Sequence, residues 1–344
     1  MQMDMHFYLI YFLARLLGFC DKDARKIAYA SNHVDFAECN NLIYAAKIYI
    51  NMVGTSHRPL DFKKLSESKN RFRPWIPFHF LPSIKNLICE MNGALVQPML
   101  EYVFLHKNEP YFLHLVGVVL HVLCDSYSHW GFIGQNDERN RIDNGSLKIV
   151  NHNTSILGRL VDELKTFKEK LQGTIAEKMP VGHSAIGMWA DIPSIIISYK
   201  AENSEIEIIR DNPKNFLEAS HRVYNFLLRV RKESPQYGLT NPDQSWDDVS
   251  AEIEKLISDK CSLGERLSKW QKLINSGKYF PATSRDKHLL YVAESWRQDE
   301  LIKQLNAGKD PNSCHPLLFN RAARIHEMFV EKQLNECGLI ISAA

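Results

Sequence analysis

The sequence predicts an all-α protein, a multi-helix bundle followed by a C-terminal helical region. Apolar residues recur at three- and four-residue intervals along most of the 344 residues, which is typical of amphipathic helices. They make up 45% of the chain, enough to bury a large core. Only short pieces alternate with a period of two. The clearest, Glu205-Ile-Glu-Ile-Ile209, is compatible with a strand or with the edge of a helix.

The first part of the chain combines helices with one long loop. Gly18 ends the first predicted helix, and Asp21 is the predicted N-cap of the second, because an Asp oxygen accepts from free N–H groups there. Four prolines predict that 51–82 is a long loop, since proline removes a backbone donor. The helices predicted in this part cover 5–18, 22–35, 39–50, 83–106 and 111–131.

The rest of the chain divides at a polar, proline-containing linker, 235–246. Before it, a polar turn is predicted at 133–147. After it the sequence becomes rich in charge but shows no further cluster of ligand-type residues. We therefore predict two parts, 1–235 and 240–344. The remaining predicted helices cover 152–172, 212–232, 247–258, 262–275, 286–306 and 315–335.

The helix over 111–131 contains the most informative motif. His121, Asp125 and His129 are four residues apart, so they share one face of an otherwise apolar helix, with His114 one heptad earlier. A single His on such a face is usually a hydrogen-bonded core residue. Two imidazoles and a carboxylate together are costly to bury unless they are paired or bind a metal. The motif therefore favours a metal site, and these are side chains that zinc prefers.

Other His and Asp residues occur in short, unusual contexts along the first 191 residues. Helical bundles build multinuclear metal sites in this way, because each helix sends one or two ligands inward. The motif and these residues predict a buried multinuclear site. The additional candidates are Asp4, His6, Asp35, His79, His183 and Asp191.

The order and context of these residues resemble the superfamily of zinc-dependent phospholipase C and P1-type nuclease, which are all-α enzymes with three zinc ions. The match is nearest to an uncharacterised bacterial branch with an Asp-x-His start and a Gly-His…Asp-x-Pro segment. The helix with His121-x3-Asp125 and His129 resembles the superfamily's central helix. Phe78-His79-Phe80 resembles its isolated His before that helix.

The resemblance implies two or three Zn2+ ions. Asp35, His79, His121 and Asp125 hold one zinc in this scheme. The set His129, His183 and Asp191 holds a second. Asp125 bridges to a third, which it shares with His6, and Asp35 also contacts the attacking water.

Three departures from the family pattern bear on these roles. The family places an N-terminal Trp at the third metal, whereas this chain begins Met1-Gln-Met-Asp4, so Asp4 is the expected substitute. The interval from Asp125 to His129 is shorter than in the secreted enzymes. The closing carboxylate usually lies one turn after its His, but Gly187 occupies that position. Asp191 is the next candidate and needs a non-helical or two-turn geometry.

The resemblance implies that 1–235 is a metal-binding helical hydrolase domain and 240–344 a helical accessory region. The expected activity is zinc-dependent hydrolysis of a phosphodiester, phospholipase C-like, with Asp35 as the catalytic residue. Aromatic residues near His79 and Trp130 fit either a lipid headgroup or a stacked base, and no dense basic track accompanies them. The expectation of a phospholipid over a nucleic acid comes mostly from the family resemblance. The alternatives are a P1-type nuclease and a non-catalytic, metal-stabilised interaction protein, for which 240–344 is the expected partner surface.

Composition and motifs limit other classes. A formal net charge of +2 gives no affinity for nucleic acid or membrane surfaces by itself. Seven scattered cysteines without a CxxC predict a reducing compartment. No P-loop, dinucleotide-binding, nucleophile-elbow or HExxH motif occurs. The apolar stretch 7–19 lacks a basic flank and a cleavage site, which predicts a core helix, no transmembrane segment and a cytoplasmic protein as synthesised, with signal-independent export left open.

Overall fold

The computed structural model describes residues 1–56, 74–143, 145–151, 182–238 and 244–339. Helices dominate these residues, as predicted, but two small antiparallel sheets are also present, which the all-α prediction missed. The helix predicted over 152–172 lies outside the described residues, as does part of the predicted loop 51–82. Among the described residues, no helix is both long enough and apolar enough to cross a membrane.

The first helix, α1, begins with a π-helical turn. The helices are α1 (Asp4–Leu9 as π-helix, then Ile10–Leu16), α2 (Asp21–His33), α3 (Trp75–Phe78), α4 (Val96–Val103), α5 (Phe112–Ser128), α6 (Asn212–Glu233), α7 (Trp246–Ile257), α8 (Leu263–Asn275), α9 (Ser284–Lys287), α10 (Gln298–Asn306) and α11 (His315–Glu336). Short 3-10 turns cover Phe104–His106, Glu138–Asn140, Gly187–Ala190, Pro235–Tyr237, Ala293–Trp296 and Pro311–Ser313. The strands are β1 (Leu42–Ala45), β2 (Ile48–Asn51), β3 (Lys148–Ile149), β4 (Ile196–Lys200) and β5 (Glu207–Asp211).

Helix α5 is the centre of the molecule, since every one of its residues is buried. It packs against α2, α6 and α11, which surround it. Helix α2 approaches closely at Gly117, where an added Cβ would lie 2.3 Å from the carbonyl oxygen of Ile27. The polar face of α5 is therefore enclosed, and its His and Asp side chains must be neutralised by one another or by a ligand.

The helix predicted over 39–50 is wrong, because this segment forms the β1–β2 hairpin. Ala46 and Lys47 both have positive φ, at 49° and 64°, as the two central residues of a tight hairpin turn do. Ile and Tyr alternate along the second strand, and both favour strands. The hairpin's inner face packs on α10 and α11, so long-range burial outweighs the local helical pattern.

Two predicted helices are shorter than expected. Of 83–106, only α4 and the following 3-10 turn are helical, because Asn92, with φ of 48°, and Gly93 form a turn before them. The helix predicted over 286–306 is divided into α9, a 3-10 turn and α10. Asp21 is not an N-cap either. Cys20 holds that position, and Asp21 is the first helical residue, accepting a hydrogen bond from Thr283.

The second sheet contains β3, β4 and β5 in that order. The ambiguous segment 205–209 thus contributes to a strand, and β5 pairs with β4 from Ile196–Asp211 to Lys200–Glu207. This sheet has a small apolar core of its own, made with residues of the 186–195 segment. It therefore holds the chain next to Asp191 in place.

The larger apolar core contains residues from both predicted parts of the chain. Phe12 of α1, for example, contacts Trp270 of α8, with ring centroids 5.9 Å apart. The division into two domains stays a prediction, but the described residues of 240–344 pack directly on the helices that carry the candidate ligands.

Candidate metal centre

The candidate site lies along the last two turns of α5. Asp125 is buried, and its Oδ2 lies 3.0 Å from Nε2 of His121 and 3.0 Å from Nδ1 of His79. The same oxygen is 3.6 Å from Nδ1 of His129. His121, Asp125 and His129 thus lie on one face of α5, and the loop before α4 brings His79 to that face.

The other oxygen of Asp125 faces the start of the chain. Its Oδ1 lies 3.0 Å from Nε2 of His6 and 2.5 Å from the α-amino nitrogen of Met1. That amino group is also 3.2 Å from Oδ1 of Asp191. Sequence reasoning identified His6 but missed Met1, although the resembled family places its N-terminal residue at the third metal and Met1 is close to His6 along the chain.

The electrostatics of the site favour positive charge. Burial lowers the pKa of the Met1 amino group, but attraction to Asp125, Asp191 and Asp35 outweighs burial and raises that pKa to about 11. Burial by itself raises the pKa of Asp125, but His129, the Met1 amino group and His121 hold that pKa well below its usual value. A cation is therefore stabilised at the place where the carboxylates converge.

The predicted ligands form three groups whose candidate ligand atoms lie within 4.8 Å of one another. His121 belongs to two of them, so those two groups adjoin. We call them the first, second and third groups. The first group is His6, His121 and Asp125, the second is Asp35, His79 and His121, and the third is His129, His183 and Asp191.

Backbone carbonyl groups determine which nitrogen of three histidines faces the site. Nε2 of His79 lies 2.9 Å from the carbonyl oxygen of Thr55, and a carbonyl can only accept, so this nitrogen carries a proton. Nδ1 of His129 lies 2.7 Å from the carbonyl oxygen of His79, and Nδ1 of His183 lies 2.9 Å from that of Gly187. Metal-binding histidines are oriented in this way in many proteins.

The nitrogens on the opposite edges of these rings face carboxylates. Nδ1 of His79 is directed at Asp125, and Nε2 of His129 lies 3.2 Å from Oδ1 of Asp191. Nε2 of His183 lies 3.6 Å from the other oxygen of Asp191. A neutral ring would bring a lone pair against a carboxylate oxygen, so a cation, either a proton or a metal ion, is needed between them. The donor set therefore fits a metal.

Two further imidazoles complete the first group. The rings of His6 and His121 are stacked with centroids 3.9 Å apart, and both Nδ1 atoms are buried without a hydrogen-bond partner among the described residues. Burial, with the charges of His121 and the Met1 amino group, lowers the pKa of His6 to about 3. His6 is therefore neutral, which is the state that binds metal.

Asp35 differs from the other ligands in its exposure. Its side chain is 34% exposed, whereas that of Asp125 is 1% exposed. Its Oδ1 lies 3.9 Å from Nδ1 of His79 and 3.8 Å from Nε2 of His121. It follows the end of α2 and lies where the site meets solvent, so it can contact a ligand or water that enters.

Asp191 reaches the site without helical geometry. A 3-10 turn, Gly187–Ala190, separates it from His183, and Gly187 adopts a φ of 53°, which favours glycine. This is the non-helical arrangement that the long interval between His183 and Asp191 required. Burial lowers the pKa of His183 to about 4, although Asp191 opposes that shift.

Asp4 is the one predicted ligand that the structure does not bring to the site. Its Oδ2 accepts a hydrogen bond of 2.6 Å from Nε of Arg266 on α8, and both side chains are buried. His114, one heptad before His121, is also in none of the three groups, and its Nε2 lies 3.2 Å from Nδ1 of His315. His326 is a packing residue and donates to the carbonyl oxygen of Pro77 at 2.7 Å.

Comparison with known proteins gives one match. The model of a family described as "Family of unknown function (DUF6765)" matches residues 1–334. No curated protein and no solved structure matches the chain.

Proposed function

Since the chain belongs to the family of unknown function DUF6765, we propose its function from the geometry of the metal centre: zinc-dependent hydrolysis of phosphodiesters, phospholipase C-like. The observation that carries the proposal is the set of three histidines, His79, His129 and His183, which are anchored by backbone carbonyls and directed at the carboxylates of Asp125 and Asp191. This arrangement resembles a preorganised multinuclear site more than a structural ion pair.

The ligand set favours zinc among the common metals. Imidazole nitrogens and carboxylate oxygens suit zinc, whereas calcium and magnesium prefer oxygen ligands alone. No cysteine belongs to any of the three groups found among the described residues. Zinc bound there would supply positive charge to phosphate oxygens and lower the pKa of a water molecule to near neutrality.

The chain's own residues divide the remaining work. Asp125 is the shared carboxylate, since its two oxygens face different groups. Asp35, the most exposed carboxylate of the site, orients the attacking water and accepts its proton. The imidazoles of His79, His129 and His183 would bind through the nitrogens that face the carboxylates.

The substrate class is proposed from the residues around the third group. Phe80 stacks on His129 with ring centroids 4.5 Å apart, and Trp75 stacks on Phe80 at 5.9 Å. Phe80 is buried within this aromatic wall, so the half-buried Trp75 is the ring that would contact the apolar part of a substrate, and the family resemblance favours a phospholipid. The same wall also fits a nucleobase, so a P1-type nuclease is the second candidate.

The proposal is tested by metal content and hydrolysis together. Purified full-length chain is desalted and its zinc measured, and we expect two or three equivalents. Hydrolysis of bis-(p-nitrophenyl) phosphate is then compared with that of the His129→Ala variant, with His114→Ala as a matched control for loss of a buried imidazole. Less than one equivalent of any transition metal, or equal rates for the unaltered chain and His129→Ala, would overturn it.

Phosphatidylcholine vesicles and single-stranded DNA, supplied as separate substrates, distinguish the two substrate classes. Release of a phosphorylated headgroup supports the phospholipase reaction. Release of nucleotides alone supports the nuclease and overturns the lipid assignment.

A further inference from the structure

The junction of β5 and α6 contacts the backbone on either side of two members of the third group, His129 and Asp191. Arg210 is in β5 and Asn212 is the first residue of α6, and both side chains are completely buried. Each donates hydrogen bonds to backbone carbonyls on a different segment. We call these segments the histidine arm, 128–130, and the aspartate arm, 189–192.

Arg210 holds the histidine arm on both sides of His129. One guanidinium nitrogen donates to the carbonyl oxygen of Trp130 at 2.7 Å, and the other donates to that of Ser128. The guanidinium also lies 4.3 Å over the ring of Trp130. Among the described residues, no carboxylate lies within ion-pair distance of Arg210. The buried charge of its guanidinium is therefore stabilised by hydrogen bonds to these carbonyl groups and not by an ion pair.

Asn212 holds the aspartate arm in the same way. Its Nδ2 donates to the carbonyl oxygens of Trp189 at 2.8 Å and Ile192 at 2.9 Å, with a longer contact to Ala190 at 3.3 Å. These residues flank Asp191. The backbone N–H of Asn212 also donates to the carbonyl oxygen of Ile195 at 3.2 Å, and Ile195 directly precedes β4.

The third group needs such support because no single element spans it. His129 and Asp191 are 62 residues apart in sequence, and both follow the ends of helical segments. The first and second groups differ, because each contains His121 on the rigid helix α5. Arg210 and Asn212 are two positions apart in sequence, and each is bonded to one arm. Between these arms, Nε2 of His129 lies 3.2 Å from Oδ1 of Asp191.

We propose that Arg210 and Asn212 are positioning residues that assemble the third group as a separate metal site. This inference rests on the metal centre proposed above. It assigns the small three-stranded sheet the role of joining the two arms. Partners that orient metal ligands typically change metal affinity about 10- to 100-fold when they are removed.

The test measures zinc affinity by competition with a chromophoric chelator in the full chain. Asn212→Ala is expected to weaken one zinc equivalent about 10- to 100-fold and leave the others unchanged. In an Asp191→Asn background the third group has already lost its carboxylate. There, Asn212→Ala should weaken zinc no further, because it acts only through that group.

Asn320→Ala is the matched control. Asn320 is also a buried Asn that holds backbone, since its side chain accepts from the N–H of Val53 at 2.8 Å and donates to the carbonyl of Asn51 at 3.1 Å. It should lower the unfolding temperature without changing the zinc affinity of the third group. Arg210→Lys is the second variant. It keeps the charge but loses the forked donor pair, so it should weaken the same equivalent even if Asn212→Ala does not fold.

The outcomes are distinct. Unchanged zinc affinity in both Asn212→Ala and Arg210→Lys, or a further loss in the Asp191→Asn background, overturns the positioning role. Selective loss of one equivalent supports it. A chain that binds zinc but hydrolyses no phosphodiester overturns the proposed function alone, since the affinity measurement does not depend on activity.

Discussion

Asp125 contacts more of the candidate site than any single imidazole, because its two oxygens face different groups. One oxygen lies 3.0 Å from His6, and the other lies 3.0 Å from both His79 and His121. Both helical and loop ligands therefore converge on a single carboxylate. A substitution there should disturb the first and second groups together.

Asp125→Asn keeps the shape of the side chain but removes its charge. We expect it to lose at least two zinc equivalents, as measured by elemental analysis after desalting, since Asp125 belongs to the first group and its Oδ2 also lies 3.0 Å from His79 of the second. His114→Ala is the control, because His114 is equally buried on the same helix but bonds to His315. Loss of zinc from His114→Ala, with full zinc in Asp125→Asn, would contradict the assignment on α5.

Asp35→Asn tests the role that we propose for Asp35, which is to accept the proton of the attacking water. Because Asp35 is the most exposed carboxylate of the site, its amide should reduce zinc by at most one equivalent. The rate of phosphodiester hydrolysis should fall by about 10²- to 10⁴-fold, the usual effect of a general base. Rates are compared at equal zinc occupancy. A variant with bound zinc and an unchanged rate would remove Asp35 from the catalytic role.

At the scale of elements, the crossing of α2 and α5 determines how closely the candidate ligands near these two helices approach one another. Gly117 lies one turn before His121, and it permits the backbones to approach so closely that an added Cβ would lie 2.7 Å from Cβ of Ala30. Asp35, just after α2, thereby comes within reach of His121 on α5. Spacing along α5 alone does not reveal this crossing.

Gly117→Ala should therefore push the two helices apart. We expect the free energy of unfolding to fall by about 1–3 kcal/mol, as overpacked cores do, and the zinc of the second group to bind more weakly. Thermal unfolding and zinc titration measure the two effects. Gly264→Ala on α8 is the matched control. Nothing lies within 4 Å of its added Cβ, so it should be neutral or stabilising by up to about 1 kcal/mol. Equal stability of the two variants would contradict the close crossing.

At the scale of the whole molecule, the C-terminal helices support the start of the chain. Arg266 of α8 pairs with Asp4 at 2.6 Å, and its guanidinium also donates to the carbonyl oxygen of Cys261 at 2.8 Å. Asp4 and His6 lie in the same π-helical turn. The region 240–344 thus contacts the segment that brings His6 and the Met1 amino group to Asp125.

Arg266→Met should leave Asp4 buried without its partner. The expected cost is about 3–5 kcal/mol of unfolding free energy, because an unpaired buried carboxylate is unfavourable. Chemical denaturation measures this cost, and zinc content should fall with displacement of His6.

The double variant Asp4→Leu with Arg266→Met should recover most of the stability, since both charges are then removed. It should also recover zinc, because Asp4 lies in none of the three ligand groups. A double variant that is stable but still lacks one zinc equivalent would restore Asp4 as a ligand.

Local periodicity was sufficient to predict which residues share the polar face of α5, and to predict the position of α6 along the chain. The order of residue types along the chain, with the family resemblance, also predicted most of the candidate ligand residues that the structure brings together. These features depend on residues close in sequence, because helical geometry fixes which side chains share a face. For this reason His121, Asp125 and His129 could be placed together from spacing alone.

Other features depend on residues distant in sequence, and only the tertiary structure decided them. Segment 39–50 is a hairpin because α10 and α11 cover one face of it. The Met1 amino group meets Asp125 because α1 packs beside α5. Asp191 reaches His129 through a 3-10 turn and a sheet in which β3 and β4 are distant in sequence, and Asp4 is paired by a helix more than 250 residues away. Long-range packing determines such distances, and no local pattern encodes them.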